Sequence, residues 1–455
     1  MRMYKQGLGD CFLLTFNKPR GQAHVLIDCG VLQGTEGARE KMRRVAENIV
    51  HETGGVLDAV VVTHQHWDHL SGFAYAQDIF ATIKVRQVWL AWTEDPSDKL
   101  ATTLAEKRAQ ALRAIEKSAR KLGATTDASA MRIASRINGL LQFYGTLGAT
   151  GRMTTAGALA AVRSMVDEPR YLRPDDHPFA IPGVPGLRVF VLGPPRDETL
   201  LRKSNPSDAN AEVYKLLSAV NFHAGFLTAI GAADGMNEVE GQPFSRSFMM
   251  TRDESDRSAF LAAHYSLKDL WRRVDHDWIG TAELLALNLD SDTNNTCLVL
   301  ALELNDSGKV LLFPGDAQVG NWLSWQGLSW NLTEGGTTRV VTTNDLLGRT
   351  VLYKVGHHGS HNATLREKGL ELMTSTQLAS MIPVDRETAR RQKPVWRMPF
   401  PPLLEALKEK TRGRIMEADA GLVEDSPNPL SDAERNRFRS KVQVQDGWID
   451  YFVDS

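Results

Sequence analysis

The chain has 455 residues, 42% hydrophobic and 24% charged, with a formal net charge of −2. That length holds two or three average domains or one large domain with insertions, and near-neutrality excludes a global attraction to nucleic acid, so any such attraction is local. No apolar run approaches the roughly 18 residues of a membrane helix, and the N-terminal MRMYKQGLGDCFLLTF lacks the apolar stretch of a signal peptide, so the expected location is the cytoplasm.

In chain order, Gly7-Leu8-Gly9-Asp10 interrupts two apolar segments, and Cys11 to Phe16 followed by His24 to Ile27 read as a hairpin around the Asn17 to Gly21 turn. The second strand ends in Asp28-Cys29-Gly30, where an aspartate caps a turn or orients a neighbouring loop. Glu36 to His51 carries Met42, Val45, Ile49 and Val50 on one helical face. Leu57 to Val62 has the composition of a strand buried on both faces, and it stops at Thr63. His64, His66, Asp68 and His69 follow within six positions. Imidazole nitrogen and carboxylate oxygen are the ligands of zinc, manganese or iron in hydrolytic centres. Polar groups behind a buried strand carry a desolvation cost unless something pairs with them. Leu70 to Phe80 then reads as helix and Ile83 to Trp92 as strand, a β-α-β order that begins a layered α/β fold. Cys11, Cys29 and Cys297 lie in apolar runs without metal-site spacing and read as core residues.

From 94 to 186 the strand pattern gives way to amphipathic helices marked by Leu104, Leu112, Ile115 and Leu122, then by Ile133, Ile137, Leu140 and Leu141. Between Lys99 and Arg136 nine Lys or Arg stand against Glu106, Glu116 and Asp127. This is either a solvated helix face or a phosphate-attracting lid. Leu187 to Pro195 returns to strand character, and 199–286 forms a second insertion without a motif. Asp290 to Leu304 sets Asn294, Asn295 and Thr296 as turn residues before a buried strand, where they start the strand or hold a substrate oxyanion. Lys309 to Asp316 is another buried strand ending in Gly-Asp. Trp322, Trp325 and Trp330 follow on a helix and its exit, as core anchors or as a base-stacking platform. Val351 to Thr364 is a strand running into His357-His358-Gly359-Ser360. Gln377 to Val384, Pro401 to Lys410 and Gly413 to Met416 add strand, helix and strand, and the terminal VQVQDGWIDYFV alternates as an edge hairpin does.

The His-x-His-x-Asp-His spacing and the later Gly-Asp and His-His-Gly-Ser landmarks resemble the metallo-β-lactamase fold superfamily. Gly-x-Gly-Asp, Asn-Asn-Thr and His-His-Gly-Ser further resemble the hydrolase domain of bacterial DNA-uptake channel proteins. The resemblance implies an α/β fold, an αββα sandwich of two mixed sheets flanked by helices. It would be a single domain over 1–455 with its core in 1–93, 187–198, 287–318 and 350–455, carrying a helical insertion at 94–186 and a second at 199–286. It implies that His64 and His66 bind one divalent metal, that Asp68 and His69 bind a second, and that Asp316 bridges them, with Zn2+ or Mn2+ as the ion. His357 is the favoured further ligand, with His358 as a substrate-facing acid or anion binder. Asp68, Asp316 and His358 are then the catalytic groups around a metal-bound hydroxide, with Asp28, Asn294, Asn295, Thr296 and Ser360 as supporting or substrate-binding groups. Gly193 stands where many superfamily members have a third histidine, leaving His177, His223, His264 or His276 to fill the gap, or one metal bound weakly. The expected activity is that of a phosphodiesterase on nucleic acid, DNA or RNA, or on a nucleotide. The alternatives are a hydrolase of carboxylic esters, lactones or thioesters, and a scaffold that binds a protein partner through its insertions.

Overall fold

The computed structural model describes residues 1–124, 128–145, 153–184, 186–203, 250, 254, 257–264, 277–334, 336–393 and 395–454. Two mixed sheets dominate it. Their strands, in chain order, are β1 (Arg2–Tyr4), β2 (Cys11–Asn17), β3 (Gln22–Cys29), β4 (Val56–Leu57), β5 (Ala59–Val62), β6 (Lys84–Val85), β7 (Val88–Ala91), β8 (Arg170–Leu172), β9 (Leu187–Gly193), β10 (Val299–Leu304), β11 (Lys309–Phe313), β12 (Ser329–Glu334), β13 (Thr337–Thr342), β14 (Thr350–Lys354), β15 (Ala379–Ile382), β16 (Ile415–Glu417), β17 (Gly421–Val423), β18 (Val442–Val444) and β19 (Trp448–Tyr451). The first sheet runs β18-β19-β1-β2-β3-β5-β7-β8 and the second β17-β16-β15-β14-β11-β10-β9. β3, β5, β7 and β8 are mutually parallel, as are β11, β14, β15 and β16, so the strands that carry the landmarks lie inside their sheets.

One buried cluster takes side chains from both sheets, among them Phe12, Ile27, Val61 and Trp89 from the first and Leu300, Leu311, Leu352 and Met381 from the second. The opposite face of the first sheet, through Leu26, Val60 and Val62, packs on Met42 and Ile49 of the helix Ala38–Thr53 and on Leu70 and Phe73 of the helix Trp67–Tyr75. The valine-rich run of β5 is therefore apolar on both sides because both sides are covered. Among the described residues no helix is long and apolar enough to cross a membrane.

The chain divides into two compact units, one of Met1–Ala105, Leu141–Leu217 and Asp290–Ser455, the other of Glu106–Leu140 and Ser218–Leu289. Both sheets belong to the first. The second holds most of the helices Lys99–Gly123 and Ala128–Leu141, the helix Ala259–His264 and much of the helix Asp277–Asn295. Most of the basic stretch between Lys99 and Arg136 therefore lies in the second unit.

Four elements differ from the sequence reading. The Ile83 to Trp92 strand is split into β6 and β7, with a tight turn of helix beginning at Trp92. The helix after β5 starts at Trp67, so Asp68 and His69 sit in its first turn rather than in a loop. Asn294 and Asn295 end the 19-residue helix Asp277–Asn295 instead of forming a turn, because helical spacing buries Leu285, Ala286 and Leu289 on one side of it. Trp330 lies on β12 of a separate hairpin with β13, and the Gly335-Gly336 dipeptide between the two strands is a turn signal that the sequence reading did not use.

Candidate metal centre

The site is built where strand ends of the two sheets meet. β5 leaves the first sheet at Thr63, whose backbone N–H and hydroxyl both donate to Asp28, at 2.8 and 2.7 Å. Asp28 is the last residue but one of β3, at φ 55. Asp10 enters beside it: its N–H donates to the Asp68 carbonyl at 3.0 Å and its own carbonyl accepts from Gly30 at 2.9 Å. A Cβ on Gly9 would lie 2.5 Å from the Gly30 carbonyl oxygen and 2.6 Å from that of Asp68, so only glycine lets these three chains approach. From the second sheet, β11 runs into Asp316 and β14 ends at Lys354, just before His357 (φ 45) and His358 (φ 53). Of four non-glycine residues with positive φ among the described residues, three are Asp28, His357 and His358. Backbone strain concentrates at functional sites.

The side chains converge. His69 Nε2 lies 3.2 Å from Asp316 Oδ2, and His358 Nε2 lies 3.0 Å from Asp68 Oδ2 and 3.9 Å from Asp316 Oδ2. His64 Nε2 faces His66 Nδ1 at 2.9 Å. Asp10, His69, Asp316 and His358 each offer a donor atom within 4.8 Å of the others, and all four are buried. The outer nitrogens of three rings are occupied by oxygen: His64 Nδ1 by Thr63 Oγ1 at 3.0 Å, His69 Nδ1 by Asp28 Oδ2 at 2.8 Å, and His358 Nδ1 by the Pro383 carbonyl at 2.7 Å. Each such acceptor keeps the proton on the outer nitrogen and turns the lone pair of Nε2 inward, the arrangement of a metal-ligating histidine. Asp10 Oδ1, Asp68 Oδ1 and His357 Nδ1 are buried without a hydrogen-bond partner. Buried polar atoms are otherwise almost always paired, so the donor set fits a divalent cation.

Electrostatics divide the histidines. Burial, with neighbouring histidines adding to it for His64, pushes His64 well below the usual imidazole range, His66 down to about 3 and His357 to about 4, which keeps them neutral. Burial opposes charge on His69 too, but Asp316, Asp68, Asp28 and Asp10 outweigh it and hold His69 well above that range. His358 is raised likewise, against burial, by Asp316 and by its hydrogen bond with Asp68. Lys354 is wholly buried, with Nζ 2.5 Å from Asp10 Oδ2, 3.2 Å from Asp316 Oδ1 and 2.9 Å from the Gly315 carbonyl. Asp316 Oδ1 also accepts from the His357 N–H at 2.9 Å, which leaves Oδ2 as its inward atom. Burial raises the Asp316 carboxyl, but His69, Lys354 and His358 outweigh it and hold it well below the ordinary range.

All seven histidine and aspartate positions named from the ligand landmarks are buried at this centre, with Asp28 behind them. Of the last two histidines, His358 belongs to the group whose donor atoms could hold a cation, while His357 contributes its backbone N–H to Asp316 and leaves its ring nitrogen unpartnered. In the Asn294-Asn295-Thr296 segment, Asn294 Oδ1 is buried without a hydrogen-bond partner. Asn295 Nδ2 donates to the Lys203 carbonyl and Thr296 Oγ1 to the Thr293 carbonyl, so those donors hold the helix end and are not free for an oxyanion. Ser360 Oγ faces Asn362 Oδ1 at 3.3 Å. Gly193 cannot be replaced by a ligand, since a Cβ there would meet Asn321 Oδ1 at 2.1 Å. Of the four histidines considered for that gap, His177 and His264 are exposed, and His223 and His276 lie outside the described residues. Sequence reasoning gave no role to Asp10 or Lys354; their signals were the Gly-x-Gly before Asp10 and a lysine two residues before Gly356 on an otherwise apolar strand.

No curated protein and no solved structure matches the chain. Residues 4–99, which carry Asp10, Asp28 and the histidines from His64 to His69, match the family model of the metallo-beta-lactamase superfamily, and with the buried Asp and His group this supports a metal-dependent hydrolase.

Proposed function

We propose that the protein is a phosphodiesterase that acts on nucleic acid, its donor groups held by two mixed sheets in the manner of an αββα sandwich. His64 and His66 with Asp316 would hold one divalent ion, and Asp68, His69 and His358 with Asp316 a second, Zn2+ or Mn2+ by donor type. Such a pair supplies Lewis acidity and an activated water. The chain's own residues do the rest. His357, kept neutral by burial, offers an unpartnered ring nitrogen for a hydrogen bond to a substrate oxygen. Lys354 fixes Asp316 through Oδ1, so its inward oxygen keeps one direction.

The observation that carries the substrate class is the segment Arg386 to Arg397. Trp396 stacks on Phe143, with centroids 5.3 Å apart at 17°, and the Phe143 ring lies 5.4 Å from that of His66. On the same segment Arg390, Lys393 and Arg397 are exposed, while Glu387 is engaged by Arg391. Cations beside an aromatic platform suit a phosphate chain with stackable bases, and the resemblance to DNA-uptake hydrolases points the same way. An ester, lactone or thioester substrate would leave these cations without a role.

The test is turnover of a bis-aryl phosphodiester and of a labelled oligonucleotide with added manganese or zinc. Both are expected to be abolished by chelator and to fall at least about a hundredfold in Asp316→Ala, the loss expected when a shared metal ligand goes. Turnover of an aryl ester but of neither phosphodiester would overturn the proposal.

A further inference from the structure

His66 is the odd member of the histidine set. It faces His64 Nε2 through Nδ1, not Nε2. To offer that lone pair it must carry its proton on Nε2, and the other three rings each have an oxygen acceptor at the equivalent outer atom. Two groups stand at His66 Nε2. Tyr144 Oη is 3.3 Å away and is itself 3.0 Å from Thr293 Oγ1. Asp290 Oδ1 is 3.7 Å away, buried, and without a hydrogen-bond partner of its own. One helical turn on, Asn294 donates to Asp290 Oδ2 at 3.4 Å, so the carboxylate is tethered through one oxygen and directs the other at the ring. Asp290 and Asn294 lie in the last turns of the helix Asp277–Asn295, and Tyr144 follows the helix Ala128–Leu141.

We propose that Asp290 and Tyr144 are positioning residues that hold His66 as its Nε2–H tautomer, and so make the His64–His66 pair a competent metal site although Gly193 bars a third histidine. Asp290 stands behind His66 as Asp28 stands behind His69, at 3.7 Å where Asp28 makes a hydrogen bond of 2.8 Å. The proposal rests on the metal-centre reading but extends it to residues outside both the matched stretch and the ligand landmarks.

The experiment is titration of the metal-free full-length protein with Co2+ and Zn2+ against a competing chelator, with the stoichiometry checked by elemental analysis. Wild type is expected to take two equivalents. Asp290→Asn and Tyr144→Phe are expected to weaken one equivalent by about 10- to 100-fold, the usual effect of an outer partner of a ligating histidine, and to leave the other unchanged. Asp28→Asn should weaken the opposite equivalent. Nitrogen-15 spectra of the His66 ring should show Nε2–H in wild type and a tautomer mixture in Asp290→Asn, a readout that mere loosening of the fold would not give. Asp290→Glu, which keeps the charge, should recover most of the affinity and replaces Asp290→Asn as the readout if the latter does not fold. Wild-type affinity for both equivalents in Asp290→Asn and Tyr144→Phe, or an unchanged tautomer, would overturn the proposal. If wild type itself takes up no metal, the metal-centre reading fails instead.

Discussion

Gly193 and Asn321 occupy each other's space. Asn321 Nδ2 donates to the Asn295 and Cys297 carbonyls, both at 3.0 Å, and its Oδ1 accepts from Trp325 Nε1 at 2.9 Å, so the amide has no freedom to yield to a Cβ. Gly193→Ala is therefore expected to lose about 2 kcal/mol of stability, in the range for overpacking, readable as a lower urea midpoint. Gly193→His should bring no gain in metal stoichiometry. Single residues also show where sequence reasoning stops. His64, His66, Asp68 and His69 were legible because one strand end presents all four. Asp316 and the His357-His358 pair were legible because each follows a buried strand. Asp10 and Lys354 had only the weak signals of a preceding Gly-x-Gly and a lone lysine on a strand, while Asp290 and Tyr144 join the site through tertiary approach and no local spacing marks them. Both His357 and His358 adopt positive φ, so the backbone directions of the pair are not legible from their spacing.

At the scale of elements, the strands were read well where apolar composition and two-sided cover agree, as in β5 and β11, and the terminal hairpin β18–β19 falls in its expected place. The helix end at Asn295 was missed because amides and hydroxyls serve turns and helix termini alike. The short element Arg386–Arg391 and the chain that follows it to Arg397 drew no attention in sequence, since their cations gain meaning only from Trp396 resting on Phe143. A triple variant Arg390→Ser, Lys393→Ser, Arg397→Ser is expected to raise the KM for a single-stranded oligonucleotide about tenfold at moderate salt. It should also flatten the slope of log affinity against log salt by about 2, since each single-strand phosphate contact contributes roughly 0.7. The KM for a small phosphodiester should change far less. Fluorescence anisotropy across a salt series separates the two effects.

For the whole molecule, the centre gathers four buried aspartates, Asp10, Asp28, Asp68 and Asp316, against Lys354, His69 and His358. In the metal-free protein the raised pKa of His69 and His358 lies above the unfolded value. The stability they contribute is therefore complete below the unfolded imidazole pKa and is lost as pH rises through the folded one. A metal ion takes the place of those protons, so its binding strengthens as pH rises. Zinc at about a thousand times its dissociation constant should add about 4 kcal/mol to the stability. The rise in Tm should be larger at pH 8 than at pH 6, and excess chelator should abolish it; differential scanning calorimetry at the two pH values checks both. The donors themselves come in two instalments, His64 to His69 from the exit of β5 in one sheet and Asp316 with His358 from the exits of β11 and β14 in the other. An ion held by both would act as a rivet between sheets whose sequence contributions are more than two hundred residues apart. The stretch 4–99, excised, would keep His64, His66, Asp68 and His69 and lose Asp316 and His358, so the piece that similarity marks out is smaller than the piece that could complete the centre.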